Sequence, residues 1–156
     1  MQRETGDRHG EAVTLANQGE IMRSEGEVDQ ARARFEQALL LNKQENDPNL
    51  ESVLLHNLGL LSQNEKDYQQ AFNYYVEALK LARSLQDQFK QGMILTNMGM
   101  LLYEQGRAAE ALKLLFGALR FRQSSGDSGA SGVVLFLNVL EQKMGAEAFA
   151  RLKQGM

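Results

Sequence analysis

Apolar and polar residues recur along this chain with the 3.6-residue period of an amphipathic α-helix, and the whole pattern repeats at an offset of 40. The aligned columns are Leu15, Leu55, Leu95 and Leu135; Asn17, Asn57 and Asn97; Gly19, Gly59 and Gly99; Ala31, Ala71 and Ala111; Ala38, Ala78 and Ala118; and Leu39, Leu79 and Leu119. Large apolar residues fill two more, Phe35, Tyr75 and Leu115, then Leu41, Leu81 and Phe121. Within a unit, Leu55, Leu58, Gly59 and Ser62 mark one helix, and Ala71, Tyr74, Tyr75, Ala78, Leu79 and Leu81 mark a second. Each unit is therefore expected to be a pair of helices, and the chain an all-α protein.

Punctuation agrees with this division. Within units, breaks fall at Glu25-Gly26-Glu27, Asn64-Glu65-Lys66 and Gln105-Gly106-Arg107, where Gly or Asn suits the left-handed backbone that ends a helix. Between units they fall near Asn46-Asp47-Pro48, Gln86-Asp87 and Ser124-Ser125-Gly126-Asp127. Asp7, Asp47, Asp87 and Asp127 lie on the 40-residue grid just ahead of each first helix, as N-caps whose carboxylates accept backbone N–H groups. The repeats predicted are 7–46, 47–86 and 87–126, with a degenerate capping unit over 127–156.

A glycine inside a helix is about 1 kcal/mol less favourable than alanine unless its missing side chain is needed. Gly19, Gly59 and Gly99 are expected to face Ala31, Ala71 and Ala111, so that the two helices of a unit approach closely. Phe35, Tyr75 and Leu115 would then fill the gap to the next unit, and each unit would bury one face on its neighbour.

In these residues the chain resembles the tetratricopeptide repeat family, in its long, 40-residue form. The motif stands as Leu55-His56-Asn57-Leu58-Gly59 with Ala71, Tyr75 and Ala78, and as Leu95-Thr96-Asn97-Met98-Gly99 with Ala111, Leu115 and Ala118. The first unit carries Leu15-Ala16-Asn17-Gln18-Gly19 with Ala31, Phe35 and Ala38. The Trp that often starts the first helix and the Pro that often ends the second are absent. The resemblance implies an α-solenoid of antiparallel helix pairs wound as a right-handed superhelix.

The fourth unit departs from the grid. It keeps Asp127 and Leu135, Val139 stands where Gly is expected, and Gly145 and Ala150 fit an offset of 39. Its first helix, Val133 to Leu140, is apolar on more than one face and is expected to remain partly exposed. At the other end, Met1 to Thr5 reads as the tail of a preceding helix.

Composition removes most chemistry. Seventeen basic residues against twenty acidic ones give a net charge of -3, so the cationic field that nucleic-acid binding needs is lacking. There is no Cys, which excludes disulfides, zinc ribbons and thiol nucleophiles. The two histidines, His9 and His56, form no metal-binding pair. Gly126 to Gly132 is read as a flexible joint, since neither a preceding strand nor a Lys-Ser/Thr pair makes it a phosphate loop. Glu25, Glu27 and Asp29 are read as solvated carboxylates at a helix start. No secretory signal and no stretch of about 20 apolar residues appears, which predicts a soluble, cytoplasmic, non-enzymatic protein without cofactor or metal.

In stacked helical pairs the first helices line the concave side. The residues expected there are Val13, Ala16, Asn17, Glu20 and Arg23, then Val53, His56, Asn57, Leu60 and Gln63, then Met93, Thr96, Asn97, Met100 and Tyr103. Asn17, Asn57 and Asn97 would form a ladder of amides, each able to donate and accept toward one peptide unit of an extended chain. The resemblance implies peptide-backbone contact for these three; Asn is also common at this position for structural reasons. Apolar Leu60, Met93, Met100 and Tyr103 would select side chains. Family members that clamp a chaperone's terminal carboxylate use a Lys- and Arg-rich set, of which only Asn57 is present. The other places hold Ala16, Glu20, Met93 and Asn97, which disfavours that ligand. The chain is thus expected to bind an extended or helical segment of a partner protein. The alternatives are a sensor controlling a fused output domain through a peptide or small ligand, and self-association through the apolar fourth unit.

Overall fold

A computed structural model describes residues 2–156, with side chains from Arg8 onward. Among the described residues there are eight helices and no strand: α1 (Gln2–Ser24), α2 (Val28–Glu45), α3 (Pro48–Asn64), α4 (Tyr68–Ser84), α5 (Gln88–Glu104), α6 (Ala108–Ser124), α7 (Gly129–Met144) and α8 (Ala146–Gln154). The fold is all-α, of the α-solenoid class, with consecutive helices packed as pairs. It divides into two compact units, residues 1–81 and 82–156.

The joints follow a 20-residue rhythm. Gly26, Asn46, Lys66, Gln86, Gly106 and Gly126 all have left-handed backbone, with φ between 54° and 81°. Five of these joints close by the same two bonds. At Lys66, its N–H donates to the Gln63 carbonyl and the Asp67 N–H to the Ser62 carbonyl, both at 2.9 Å, which satisfies carbonyls at the helix end. Asn46 instead makes one bond, to the Asn42 carbonyl at 2.7 Å, and the Asn42 amide donates to the Asp47 carbonyl at 2.9 Å. In the second unit of the sequence the left-handed residue is thus Lys66, not Asn64, which remains the last residue of α3.

Asp47 and Asp87 cap as expected, while Asp127 stands one residue ahead of Ser128, the cap position of α7, and still accepts a backbone N–H there. Asp47 accepts from the N–H groups of Asn49 and Leu50 at 2.8 and 3.3 Å, Asp87 from Lys90 at 2.9 Å and Asp127 from Gly129 at 2.9 Å. Asp7 does not precede its helix, because α1 runs unbroken from Gln2; its side chain lies outside the described residues. Nor do residues 2–5 belong to a separate earlier helix, and Met1 lies outside the described residues.

The nearest neighbour of each glycine in the column is not the alanine expected, although a Cβ at Gly99 would also lie 3.3 Å from the Ala111 carbonyl oxygen. A Cβ at Gly19 would lie 2.6 Å from the Phe35 ring, one at Gly59 2.5 Å from the Tyr75 ring, and one at Gly99 2.7 Å from Leu115 Cγ. The large residue therefore fills the notch in its own helix pair, instead of serving only the gap to the next. Phe35, Tyr75 and Leu115 are fully buried, as are Ala31, Ala71 and Ala111 beside them. In residues 1–81, Phe35 also joins Leu54, Leu58 and Leu61 of α3 in one core, so a single ring serves both its own pair and the following helix. A second small position stands at Ala12, Ser52 and Gly92. Ser52 Oγ donates to the Ala78 carbonyl of α4 at 3.1 Å, while Gly92 leaves room for the Arg122 stem, whose Cγ would lie 2.8 Å from an added Cβ.

In residues 82–156 that arginine joins three helices. From the end of α6, Arg122 Nε donates to Thr96 Oγ1 of α5 at 3.0 Å, and its guanidinium pairs with Asp127 at the start of α7. Both charged side chains are nearly buried, and a buried pair of this kind loses several kcal/mol when one partner is removed. The register of α7 differs from expectation. Val133, Leu137 and Leu140 are buried, 39 residues after Ile94, Met98 and Leu101, whereas Leu135 is 67% exposed. Ile94 lies seven residues after its capping Asp87, but Val133 only six after Asp127, and one residue turns a helix by about 100°. The slip thus begins before Val139. In α8 the core residue is Phe149, and Ala150 is exposed.

Lys66 and Gln86 hold a backbone conformation that is strained for residues with a side chain. Lys66→Gly and Gln86→Gly are each expected to raise stability by about 0.5–1 kcal/mol, after the greater unfolded-chain entropy of glycine is set against relief of strain. Urea unfolding followed by circular dichroism reads this, and unchanged or lower midpoints would refute it.

Burial raises the Asp87 pKa, but the N–H groups of Lys90 and Phe89 and the Lys90 ammonium at 3.0 Å together hold the carboxyl below its ordinary value of 3.8. The folded group has the lower pKa, so its stabilisation is complete above the ordinary carboxylate range and fades as pH falls through it. Asp87→Ala should cost about 1 kcal/mol at pH 7. The gap to the parent should narrow near pH 3; an equal gap at both values would count against the assignment.

Candidate functional site

The residues expected to face a partner are placed by the packing just described. Once α1 and α3 turn their small residues toward α2 and α4, and α5 toward α6, the opposite stripe of each first helix is what remains. The structure treats its members unequally.

In residues 1–81, Asn17 and Glu20 are exposed on α1 and Arg23 is half-buried. Arg23 Nε is shielded from solvent and finds no acceptor among the described residues. Ala16 is buried in the core and Val13 half-buried. On α3, Val53, Leu60 and Gln63 are half-buried, while His56 and Asn57 are buried. The His56 ring lies 5.9 Å from the Tyr75 ring, and Gln63 Oε1 accepts from the Tyr75 hydroxyl at 2.8 Å. These contacts tie the stripe to the ring that fills the Gly59 notch.

Asn57 is the member whose placement changes the picture. It is only 5% exposed, and its Nδ2 donates to Glu20 Oε1 across α1 and α3 at 3.2 Å. Sequence spacing brought both residues to one surface; the structure joins them. With its carboxylate partner exposed, a bond of this type is worth about 0.5–1.5 kcal/mol. It holds the amide in a fixed orientation and leaves the three asparagines in three settings: Asn17 exposed, Asn57 buried and Asn97 half-buried.

In residues 82–156 the α5 stripe consists of Met93, Thr96, Asn97, Met100 and Tyr103. Met93 and Asn97 are half-buried and Met100 is 37% exposed, at i, i+4 and i+7 on one helical face. Thr96 is engaged inward: its hydroxyl donates to the Gly92 carbonyl at 2.7 Å and accepts from Arg122. Tyr103 stacks edge-on against Phe136 of α7, ring centres 5.7 Å apart, and belongs to the core of residues 82–156. The apolar members of this stripe that solvent still reaches are therefore Met93 and Met100, on either side of Asn97. Arg122, which orients Thr96, carried no signal in the sequence, because its role depends on the space above Gly92.

Among the described residues no three His, Cys, Asp or Glu side chains converge on a point where a cation could sit. No described helix is long and apolar enough to cross a membrane.

Comparison with known proteins agrees with the repeat geometry. Residues 50–124 match one family model described as Tetratricopeptide repeat, and residues 14–48 match a second with the same description. No curated protein matches the chain.

The Glu20–Asn57 contact is open to a double-mutant cycle. Glu20→Ala and Asn57→Ala are expected to be non-additive by about 0.5–1.5 kcal/mol in unfolding free energy. Additive effects would show that the two side chains do not interact in solution.

Proposed function

Since this chain belongs to the tetratricopeptide repeat family, whose repeats generally mediate protein–protein interaction, we propose that it is a non-enzymatic module that binds an extended or helical segment of a partner protein on its first helices. The reading includes the division into repeats 7–46, 47–86 and 87–126 with a capping unit over 127–156, and a cytoplasmic setting.

The observation that carries it is the α5 face. Met93, Asn97 and Met100 form a partly open stripe on a helix whose opposite side is buried on α6. Methionines adapt to varied apolar side chains, so the stripe suits a segment held by modest apolar contacts on either side of Asn97. Such a surface gives micromolar binding, about 8 kcal/mol. Within residues 1–81, Asn17, Glu20 and Arg23 of α1, with Val53, Leu60 and Gln63 of α3, form the corresponding stripe. Asn57 would act by holding Glu20, and His56 by packing behind them. The Glu20 carboxylate favours a segment with a basic residue there.

A second reading, self-association through the fourth unit, is favoured by Val134, Leu135 and Val139, which α7 leaves exposed.

Selection from a random peptide library on the full chain, beside an Asn97→Ala/Met100→Ala variant of confirmed helicity, separates the two. A consensus that the variant binds at least about tenfold more weakly, a difference of about 1.4 kcal/mol, supports the first reading. No consensus, or equal selection by both proteins, overturns it. A mass that rises with concentration would then favour the second.

A further inference from the structure

The strongest unexplained feature lies on α6 and α8, where no residue of α5 takes part. Lys113, Phe116 and Arg120 follow one another along α6 at i, i+3 and i+7, on one face of the helix. The last turn of α8 brings Arg151 and Lys153 beside them. Two open hollows of about 230 and 290 Å³ result, the first lined by Lys113 and Arg151 and the second by Phe116, Arg120 and Lys153; Met156 borders both. Lys153 Nζ sits 5.5 Å from the centre of the Phe116 ring, which holds that cation over an apolar floor.

Two of these cations, Arg120 and Lys153, lack local counter-charges, whereas Arg151 pairs with the exposed Glu147 at 3.8 Å and Lys113 lies near Glu110. Among the described residues, no carboxylate lies within ion-pair reach of Arg120 or Lys153. The nearby Glu110 already accepts from Arg107 at 2.8 Å, and that guanidinium holds its carboxyl below the usual range. The imbalance extends through the unit. Residues 82–156 carry nine Lys and Arg against six Asp and Glu, whereas residues 1–81 carry eight against fourteen. The net charge of the whole chain conceals this difference.

We propose that the α6–α8 face is a second docking surface, separate from the α5 stripe, for an acidic segment of another protein that carries an apolar anchor. The anchor seats on Phe116 and Met156, and flanking carboxylates meet Arg120 and Lys153, with Lys113 and Arg151 extending the field. Charges of this kind set partner choice and speed encounter, and the apolar floor supplies the contact area.

The test is fluorescence anisotropy of a labelled peptide of about twelve residues alternating glutamate and leucine, titrated with the full chain at low salt. Tight binding is expected, with at least about tenfold loss for Arg120→Glu/Lys153→Glu and a smaller loss for Arg120→Gln/Lys153→Gln. All four substitutions are at exposed positions, and circular dichroism verifies their fold. The Asn97→Ala/Met100→Ala variant should bind the acidic peptide like the parent, so failure of the α5 reading and failure of this one are distinguishable. Equal binding of a lysine–leucine peptide, or unchanged affinity in the charge-reversed protein, overturns the proposal. Self-association that Arg120→Glu/Lys153→Glu abolishes would assign the surface to a second copy of this chain and overturn a separate acidic partner.

Discussion

The contact between a glycine on one helix and a large buried side chain on the next is the constraint from which most of this molecule follows. At Gly19, Gly59 and Gly99 an added methyl group would overlap Phe35, Tyr75 or Leu115 outright. The absence of one carbon thus decides how closely two helices approach and which way each is rotated about its axis. Dense interiors tolerate such overlaps poorly, so the rotation is strongly determined. Its consequence lies on the far side of the first helix, where the residues left over from packing become the surface a partner can meet. At Tyr75 the same ring also donates to Gln63 and lies beside His56, which links the core contact directly to that surface.

The joints show how a repeat keeps its spacing while its chemistry drifts. A left-handed residue every 20 positions turns the chain, yet glycine occupies only three of the six places, and Asn46, Lys66 and Gln86 occupy the others. Carboxylates accept backbone N–H groups at the helix starts near Asp47, Asp87 and Asp127, but the last stands one residue ahead of its cap and is also paired with a nearly buried arginine. Arg122 is accommodated because Gly92 offers space where the earlier units have Ala12 and Ser52. The fourth unit is thereby attached through a polar contact as well as an apolar core, and its helix register shifts by one residue.

Charge is distributed as unevenly as packing is regular. Acidic residues predominate in residues 1–81 and basic ones in residues 82–156, and the basic excess includes side chains that flank an aromatic ring on α6. The cationic α6–α8 face of residues 82–156 thus differs in electrostatic character from the Glu20 region of residues 1–81. The two proposed surfaces would call for ligands of different charge and use different residues.

Helix number, the pairing of helices and the family were legible in the sequence because they depend on local periodicity and on columns such as Leu15, Leu55 and Leu95 that recur at fixed distance. The stripe carrying Asn17, Asn57 and Asn97 was legible for the same reason, since helical spacing alone puts its members on one face. What a side chain does on that face was decided by tertiary structure. Asn57 is buried and donates to Glu20, 37 residues away, and Thr96 is turned by Arg122, 26 residues away, while Asn17 stays exposed. Leu135 matched the repeat in sequence and yet faces solvent, because one residue fewer after Asp127 rotates α7 about its axis. Periodicity fixes which residues share a helix face; the direction that face takes, and the partner each polar atom finds, depend on contacts between segments distant in the chain, which a local pattern does not encode.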